Sequence, residues 1–395
     1  MSSKVNINNF SKPYSIGIIG GGQLALMLVE AAKKRDINIS VQTKSRSDPG
    51  GLKADLVIES DPLQIKGNKS LIRESQKIIF ENEWVKIDKL KQIGNNEIFI
   101  PSLDSLAPLV DRISQKIFIE KLNLPTPKWI RIKEFNTRKD PYLNDWQFPL
   151  MAKTFKGGYD GKGNKKISSK EELKYFLNQN SSEEWIIEEW IDYEKEFALV
   201  GSRDNNGVIR LFPIVETFQV NNICNWVICP AKTNYDINLF ALHIFSSIVN
   251  ELDYVGVLGI EFFFGKNGLL INEIAPRTHN SGHFSIEACN SSQFDQQICI
   301  SAGINPPEIC MNSNGALMIN LLGLKKNHPI NIDERIKNLS ELKGANMHWY
   351  GKSKEVFGRK MGHITFLLEE NNYDERFKKA QLFIKNVSQI WPSPQ

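Results

Sequence analysis

At 395 residues the chain is too long for one ordinary hydrophobic core, so two or three packed domains are expected. A hydrophobic fraction of 41% and a charged fraction of 24% sit near the averages for a globular enzyme and give no indication of disorder. Lys and Arg total 49 against 45 Asp and Glu, and this formal charge of +4 is spread along the chain, which argues against nucleic acid as a partner.

The first 13 residues are polar and read as a frayed tail without an apolar signal core. Ser15 to Ile19 is a short apolar strand, followed by Gly20-Gly21-Gly22 and a helical pattern from Gln23 to Lys34 with Leu24, Met27, Leu28 and Ala31 on one stripe. Ile37 to Gln42, Leu56 to Ile58 and Lys77 to Phe80 supply further strands, and their alternation with helices implies a doubly wound, Rossmann-like α/β sheet over residues 1–110. A helix over Asp111 to Leu122 is stopped by Leu124-Pro125-Thr126-Pro127, where proline cannot continue the ladder. Strands are expected at Leu150 to Phe155, Trp185 to Glu189, Glu196 to Gly201, Val208 to Val215 and Trp226 to Cys229. Val257 to Phe264 and Leu269 to Ile274 flank Gly265-Lys266-Asn267-Gly268, a hairpin signal. After Pro306-Pro307 a smaller C-terminal unit follows. No stretch approaches about 18 uninterrupted apolar residues, so no membrane role is expected. Cys224, Cys229, Cys289, Cys299 and Cys310 lack paired spacing, which fits a reduced, cytoplasmic setting.

The cluster Gly20-Gly21-Gly22-Gln23-Leu24-Ala25 matches the loose G-x-G-x-x-G/A form, in which a helix N-terminus approaches a phosphate. A nicotinamide fold usually places Asp or Glu at the end of the second strand, whereas Thr43, Lys44 and Ser45 stand here; a tight turn that binds no dinucleotide is the alternative. From Lys153 to Asn164 four glycines among lysines suit a phosphate cover, or a glycine-rich hairpin with solvated lysines. Glu261 and Glu273 form the sharpest pair. A three-residue loop of Lys266, Asn267 and Gly268 pairs 265 with 269 and sets the two carboxylates opposite each other, where a shared magnesium or protonation of one acid would relieve their repulsion; two unrelated surface glutamates are the alternative. A two-residue turn would shift that register. The segment Asn272 to His283 gathers cation, amide and imidazole groups suited to a small oxyanion. Lys352, Arg359 and Lys360 stand near glycines in the C-terminal unit, as a sugar phosphate requires or as an exposed basic hairpin would have them.

Seven segments in order, Gly20 to Leu24, Phe80 to Glu83, Asp111-Arg112 with Gln115-Lys116, Gly157 to Gly163, Asn272 to His283, Ser292-Gln293-Phe294 and Gly358 to His363, resemble the N5-carboxyaminoimidazole ribonucleotide synthetases, the ATPase subunits of phosphoribosylaminoimidazole carboxylase, across nearly the whole chain. The resemblance implies an ATP-grasp fold: a Rossmann-like pre-ATP-grasp domain (1–110), an ATP-grasp domain (111–302, with a lid at about 125–195) and a small β-rich C-terminal domain (303–395). It implies that ATP lies against the strand ending at Glu188-Glu189-Trp190-Ile191. Arg112, Lys116, Lys153, Gly158, Gly161, Lys162, Gly163, Asn164 and Asn272 then stand at the nucleotide, with Glu196 and Glu216 as further ligands and Glu261 and Glu273 on magnesium, or manganese in its place. Tyr159, Asp160, Arg277, His279 and Asn280 would surround bicarbonate and the carboxyphosphate made from it, while Gln23, Leu24, Glu81, Lys352, Arg359 and Lys360 hold aminoimidazole ribonucleotide. The implied assembly is a homodimer that passes its product to a mutase. Ala25 and Leu26 stand where the family usually has Gly-Arg, which removes an arginine from the first turn. Competing expectations are another ATP-grasp ligase of purine synthesis, such as the formate-dependent glycinamide ribonucleotide transformylase, and an NADP oxidoreductase built on the first βα unit.

Overall fold

The computed structural model describes residues 14–137, 146–156, 163–180, 185–324 and 331–394. The first sheet is built from β1 (Ser15–Ile19), β2 (Asn38–Thr43), β3 (Leu56–Glu59) and β4 (Lys77–Phe80), all parallel, in the order β3-β2-β1-β4. Its central strand is buried along its whole length, as a parallel strand covered on both faces must be. The helix Gln23–Lys33 buries eight of its residues, Ala25 and Leu26 among them, so the Gly-Arg departure noted above serves core packing. This core is shared. Phe294, Ile298 and Ile300 of the helix Gln293–Ser301, and Tyr350 from the C-terminal part, are members of it.

A second sheet takes β5 (Trp129–Arg131), β6 (Leu150–Thr154), β7 (Asn164–Ile167) and β8 (Trp185–Glu189), in the order β5-β8-β6-β7 with every pairing antiparallel. Its small core, with Leu150, Ala152, Ile167 and Ile187 on the strands, is closed by Leu173 and Phe176 of the helix Lys170–Gln179.

The third sheet has nine strands. They are β9 (Lys195–Arg203), β10 (Ile209–Leu211), β11 (Val215–Val220), β12 (Ile223–Cys229), β13 (Gly256–Gly265), β14 (Gly268–Ala275), β15 (Gly315–Leu322), β16 (Asn346–Trp349) and β17 (Lys360–Leu368). The run expected over Val208 to Val215 is broken into β10 and the start of β11, because Pro213 cannot donate to a ladder. The C-terminal strands make no sheet of their own: β15 pairs with β12, and the ladder continues through β17 to β16. On one face lies the helix Tyr235–Glu251, whose Ala241, Ile244, Phe245, Ile248 and Val249 meet Phe197, Leu199, Ile260 and Phe262. No helix among the described residues is long and apolar enough to cross a membrane.

Candidate active site

The acidic pair is placed by a hairpin and a bulge. The turn holds two residues, Lys266 and Asn267, and pairs Gly265 with Gly268, not with 269 as the three-residue loop would have it. Gly268 takes φ +77°, a conformation that costs other residues strain. That register alone would set Glu261 opposite Asn272. A bulge between the Glu261 and Phe262 pairings absorbs one residue, and Glu261 faces Glu273 after all. The extra residue is Asn272, whose amide donates to Glu261 (3.3 Å) and accepts from Lys153 Nζ (3.2 Å), so it too is aimed at the site. Phe262 and Phe264 point to the opposite face and belong to the central core.

Burial pushes the Glu273 carboxyl above its ordinary range; Arg112 opposes this, while the charges of Glu261 and Glu83 add to it. Arg112 stands 3.3 Å from Glu273. At Glu261 burial is outweighed by the His279 contact and by Lys360 and Arg112, which hold that carboxyl below the usual value. The result is one carboxylate kept charged facing another that resists charging. Two facing carboxyl groups are oxygen donors of the kind a hard divalent cation takes, and magnesium fits that donor set. Among the described residues no cluster of three or more His, Cys, Asp or Glu groups stands ready as a metal cage.

Lys153 and Lys116 share Glu188. Lys153 Nζ lies 2.6 Å from Oε2 and Lys116 Nζ 2.9 Å from Oε1, with all three side chains less than a tenth exposed. Burial alone would raise the Glu188 carboxyl, but the two ammonium groups outweigh it and hold it at about 2. Lys116 is also fastened to Thr126 Oγ1 (2.7 Å). The Glu188 side chain is therefore a buried counterion shared by two lysines on the β8 strand. Glu189 accepts from the Lys128 amide at 2.9 Å, Ile191 is half-buried, and Trp190 is exposed under the Lys166 ammonium at 4.6 Å.

Glu196 lies on the face of β9 that carries Ala198, the partner of Glu261, and burial raises its carboxyl to about 7, helped by the Glu261 charge and opposed by Tyr193, Gln219 and Lys153. Glu216 pairs with Phe197 on the reverse face, where it binds Lys195 (2.8 Å) and the Tyr373 hydroxyl (2.7 Å). Strand alternation separates it from Glu196, against the expectation that both meet the nucleotide. Gly163 has φ +81° and its carbonyl accepts from Thr154, while Asn164 pairs with Lys153. Gly158, Tyr159, Asp160, Gly161 and Lys162 lie outside the described residues.

The segment after Glu273 is held from three sides. Arg277 makes a two-pronged contact with the buried Glu83, at 2.7 and 3.4 Å. His279 Nδ1 accepts from the Ser281 amide, so its proton sits on Nε2, 3.3 Å from Glu261. Asn280 and Asn320 of β15 exchange hydrogen bonds amide to amide, at 2.9 and 2.7 Å. Glu83 lies in a segment that carries the resemblance but is given no role from sequence, and Asn320 is not singled out there. Their partners lie 194 and 40 residues away, a separation no local pattern reveals.

The first glycine turn binds its own chain. A Cβ on Gly22 would stand 2.1 Å from Glu81 Oε1, and the Glu81 carboxylate accepts from the amides of Gly22 and Leu24. A side-chain carboxylate thus occupies the helix N-terminus that a dinucleotide phosphate would need. Lys352 Nζ reaches Gln23 Oε1 at 2.6 Å and also bonds the Lys360 carbonyl, tying the C-terminal loop to this turn. Burial holds the Glu81 carboxyl above its ordinary range, against the opposing charges of Arg277 and Lys352. Arg359 is exposed and reaches the Lys354 carbonyl at 3.5 Å.

Three family models match in order: the ribonucleotide synthetase preATP-grasp domain over 14–109, the ATP-grasp domain over 117–294, and the phosphoribosylaminoimidazole carboxylase C-terminal domain over 316–375. The N5-carboxyaminoimidazole ribonucleotide synthase of Synechococcus elongatus is 37% identical over 380 residues, 96% of each chain. Among solved structures, the Staphylococcus aureus N5-carboxyaminoimidazole synthetase complexed with ADP superposes with TM-score 0.85 at 29% identity, covering 96% of this chain and 99% of that one. The Aspergillus clavatus synthase in complex with ADP and 5-aminoimidazole ribonucleotide gives 0.83 at 25% identity, covering 95% and 99%.

Proposed function

The chain belongs to the N5-carboxyaminoimidazole ribonucleotide synthase family, and from that premise we propose a division of labour among its residues. It is an ATP-grasp ligase that carboxylates aminoimidazole ribonucleotide in an ATP-dependent reaction of purine biosynthesis. In our reading the work is divided among the domains assigned to residues 1–110, 111–302 and 303–395.

Arg112 and Lys153 bind the ATP phosphates, and Lys116 with Glu188 holds Lys153 in place from behind. Glu196 takes the ribose. Glu261 and Glu273 hold magnesium, which when bound neutralises phosphate charge. Arg277, His279 and Asn280 surround bicarbonate, the acceptor of the γ-phosphoryl group. The carboxyphosphate so formed gives its carboxyl group to the exocyclic amine of the nucleotide, releasing phosphate. Tyr159 and Asp160 complete that enclosure, Asp160 as the group that steers the amine or takes its proton. Lys352, Arg359 and Lys360 bind the nucleotide's 5'-phosphate beside Gln23, Leu24 and Glu81. Positioning and charge neutralisation carry most of the rate, because little covalent chemistry falls to the protein itself.

The observation that supports this most directly is the bulge that turns Glu261, Asn272 and Glu273 onto one face beside Arg112 and Lys153. Its test is ADP formation with bicarbonate, with and without aminoimidazole ribonucleotide, in wild type, Glu261→Gln and Glu273→Gln. Nucleotide should stimulate the wild type, and each variant should lose about 100-fold or more in kcat. Turnover without nucleotide stimulation, or a double alanine variant as active as wild type, would sink the assignment. We further propose a cytoplasmic homodimer that hands its unstable product to a mutase; the five free thiols suit a reducing compartment.

A further inference from the structure

We propose that Gln293 is a positioning residue, one side chain that clamps both ends of the 279–283 turn and thereby sets where His279 stands against Glu261; this rests on the reading of His279 given above. Gln293 is fully buried at the first position of the helix Gln293–Ser301, whose start is fixed by a reciprocal capping box between Ser292 and Asp295. Its Oε1 accepts from the His279 amide at 2.7 Å, and its Nε2 donates to the His279 carbonyl at 2.7 Å. The side chain pairs with that residue's backbone as a neighbouring strand would. A backbone N–H can only donate and a carbonyl can only accept, so the orientation of the Gln293 amide is fixed by its partners.

The second Nε2 proton then points at His283 Nδ1, 3.1 Å away. His283 Nδ1 must accept, and the ring is held as the tautomer protonated on Nε2. The fit around the clamp is close. A Cβ on Gly282 would meet Gln293 Cδ at 2.9 Å, and the Gln293 backbone N–H donates to Ser285 Oγ, which itself donates to the Gly282 carbonyl at 2.6 Å. On the site side His279 Cβ rests where a Cβ on Gly259 would come within 2.7 Å, two residues before Glu261 on the same strand. The imidazole thus has a fixed floor and a fixed backbone, and its 3.3 Å reach to Glu261 leaves little tolerance for displacement.

The test compares Gln293→Glu, which keeps shape and the Oε1 acceptor but loses both donors, with Gln293→Met, which keeps volume only. Each should lower nucleotide-dependent kcat by about 10- to 100-fold, the usual cost of removing a group that orients a site residue, with the KM for ATP moving less than about twofold. His279→Ala should fall by a similar factor, and His279→Ala combined with Gln293→Met no further than either alone. Full additivity in that cycle, or wild-type kcat in both Gln293 variants, overturns the proposal. Wild-type turnover in His279→Ala overturns the reading of His279 instead, so the two failures are distinct. If the variants do not fold, the wild type still decides: its 15N-histidine spectrum should show His283 unprotonated at Nδ1, and a proton there refutes the clamp.

Discussion

Two glutamates carry opposite electrostatic burdens, and each makes a measurable claim about pH. Glu188 is held at about 2 in the fold against an ordinary glutamate value of 4.5, so it stabilises the protein above pH 4.5 and loses that contribution as pH falls from 4.5 toward 2. The shift corresponds to about 3 kcal/mol, part of which is offset because Lys116 is itself pushed down by its burial and by the nearby Lys153 charge. Denaturant titrations should show stability dropping through that window, and Glu188→Gln should flatten the drop. At neutral pH the same variant should be less stable by about 3–5 kcal/mol, since two buried ammonium groups lose their counterion. Glu196 runs the other way. Its carboxyl is raised to about 7, so the unfolded chain releases that proton first and stability falls as pH rises from 4.5 through 7. Glu196→Gln should therefore gain on the order of 1 kcal/mol at pH 8, discounted for partial exposure, while its KM for ATP rises. A variant no more stable than wild type at pH 8 would show that the carboxylate is not strained.

At the scale of elements, the β13–β14 hairpin shows what a sequence discloses and what it hides. Alternation and the Gly265 to Gly268 signal are enough to foresee two strands and a glutamate pair, and the pair exists. The route differs: a turn one residue shorter and a bulge one residue longer cancel. Asn272 carries no composition that marks a bulge, since a bulge is chosen by the neighbouring ladder with β9 and by Lys153, neither local in sequence. Glu188 was legible only as an acid ending an apolar strand; its two lysines come from residues 72 and 35 positions earlier. Gln293 was visible as part of a motif and silent as to what it holds. The turn itself can be tested apart from the chemistry. A Cβ on Gly268 would meet nothing within 4 Å, so Gly268→Ala changes only the strain of φ +77°, and thermal unfolding should report a loss of about 1 kcal/mol with kcat unchanged. A larger loss, or a fall in kcat, would mean that the turn transmits to the bulge.

Over the whole molecule, the three segments matched by family models are not three independent cores. The ladder from β14 to β16 is continuous, with β12 joined to β15 through four register pairs from Trp226–Ile319 to Cys229–Ala316. Tyr350 completes the first core from the far end of the chain, and Lys352 reaches back 329 residues to Gln23. The proposed nucleotide site is thus assembled from the first and last thirds of the chain, and local opening of either would dismantle it. Elements that share a core and a ladder open together, because neither can leave without exposing the other's buried apolar surface and unpaired backbone groups. Trp226, Val227, Ile228 and Cys229 on one side and the whole of β15 on the other are buried against each other, so separating them exposes both. Native-state hydrogen exchange should accordingly give the slow amides of β12, β15 and β17 one common opening free energy. If β15 and β17 opened at a distinctly lower free energy while β12 stayed protected, the C-terminal part would be an independent unit docked on the edge of the central sheet, and the claim of a single cooperative body would fail.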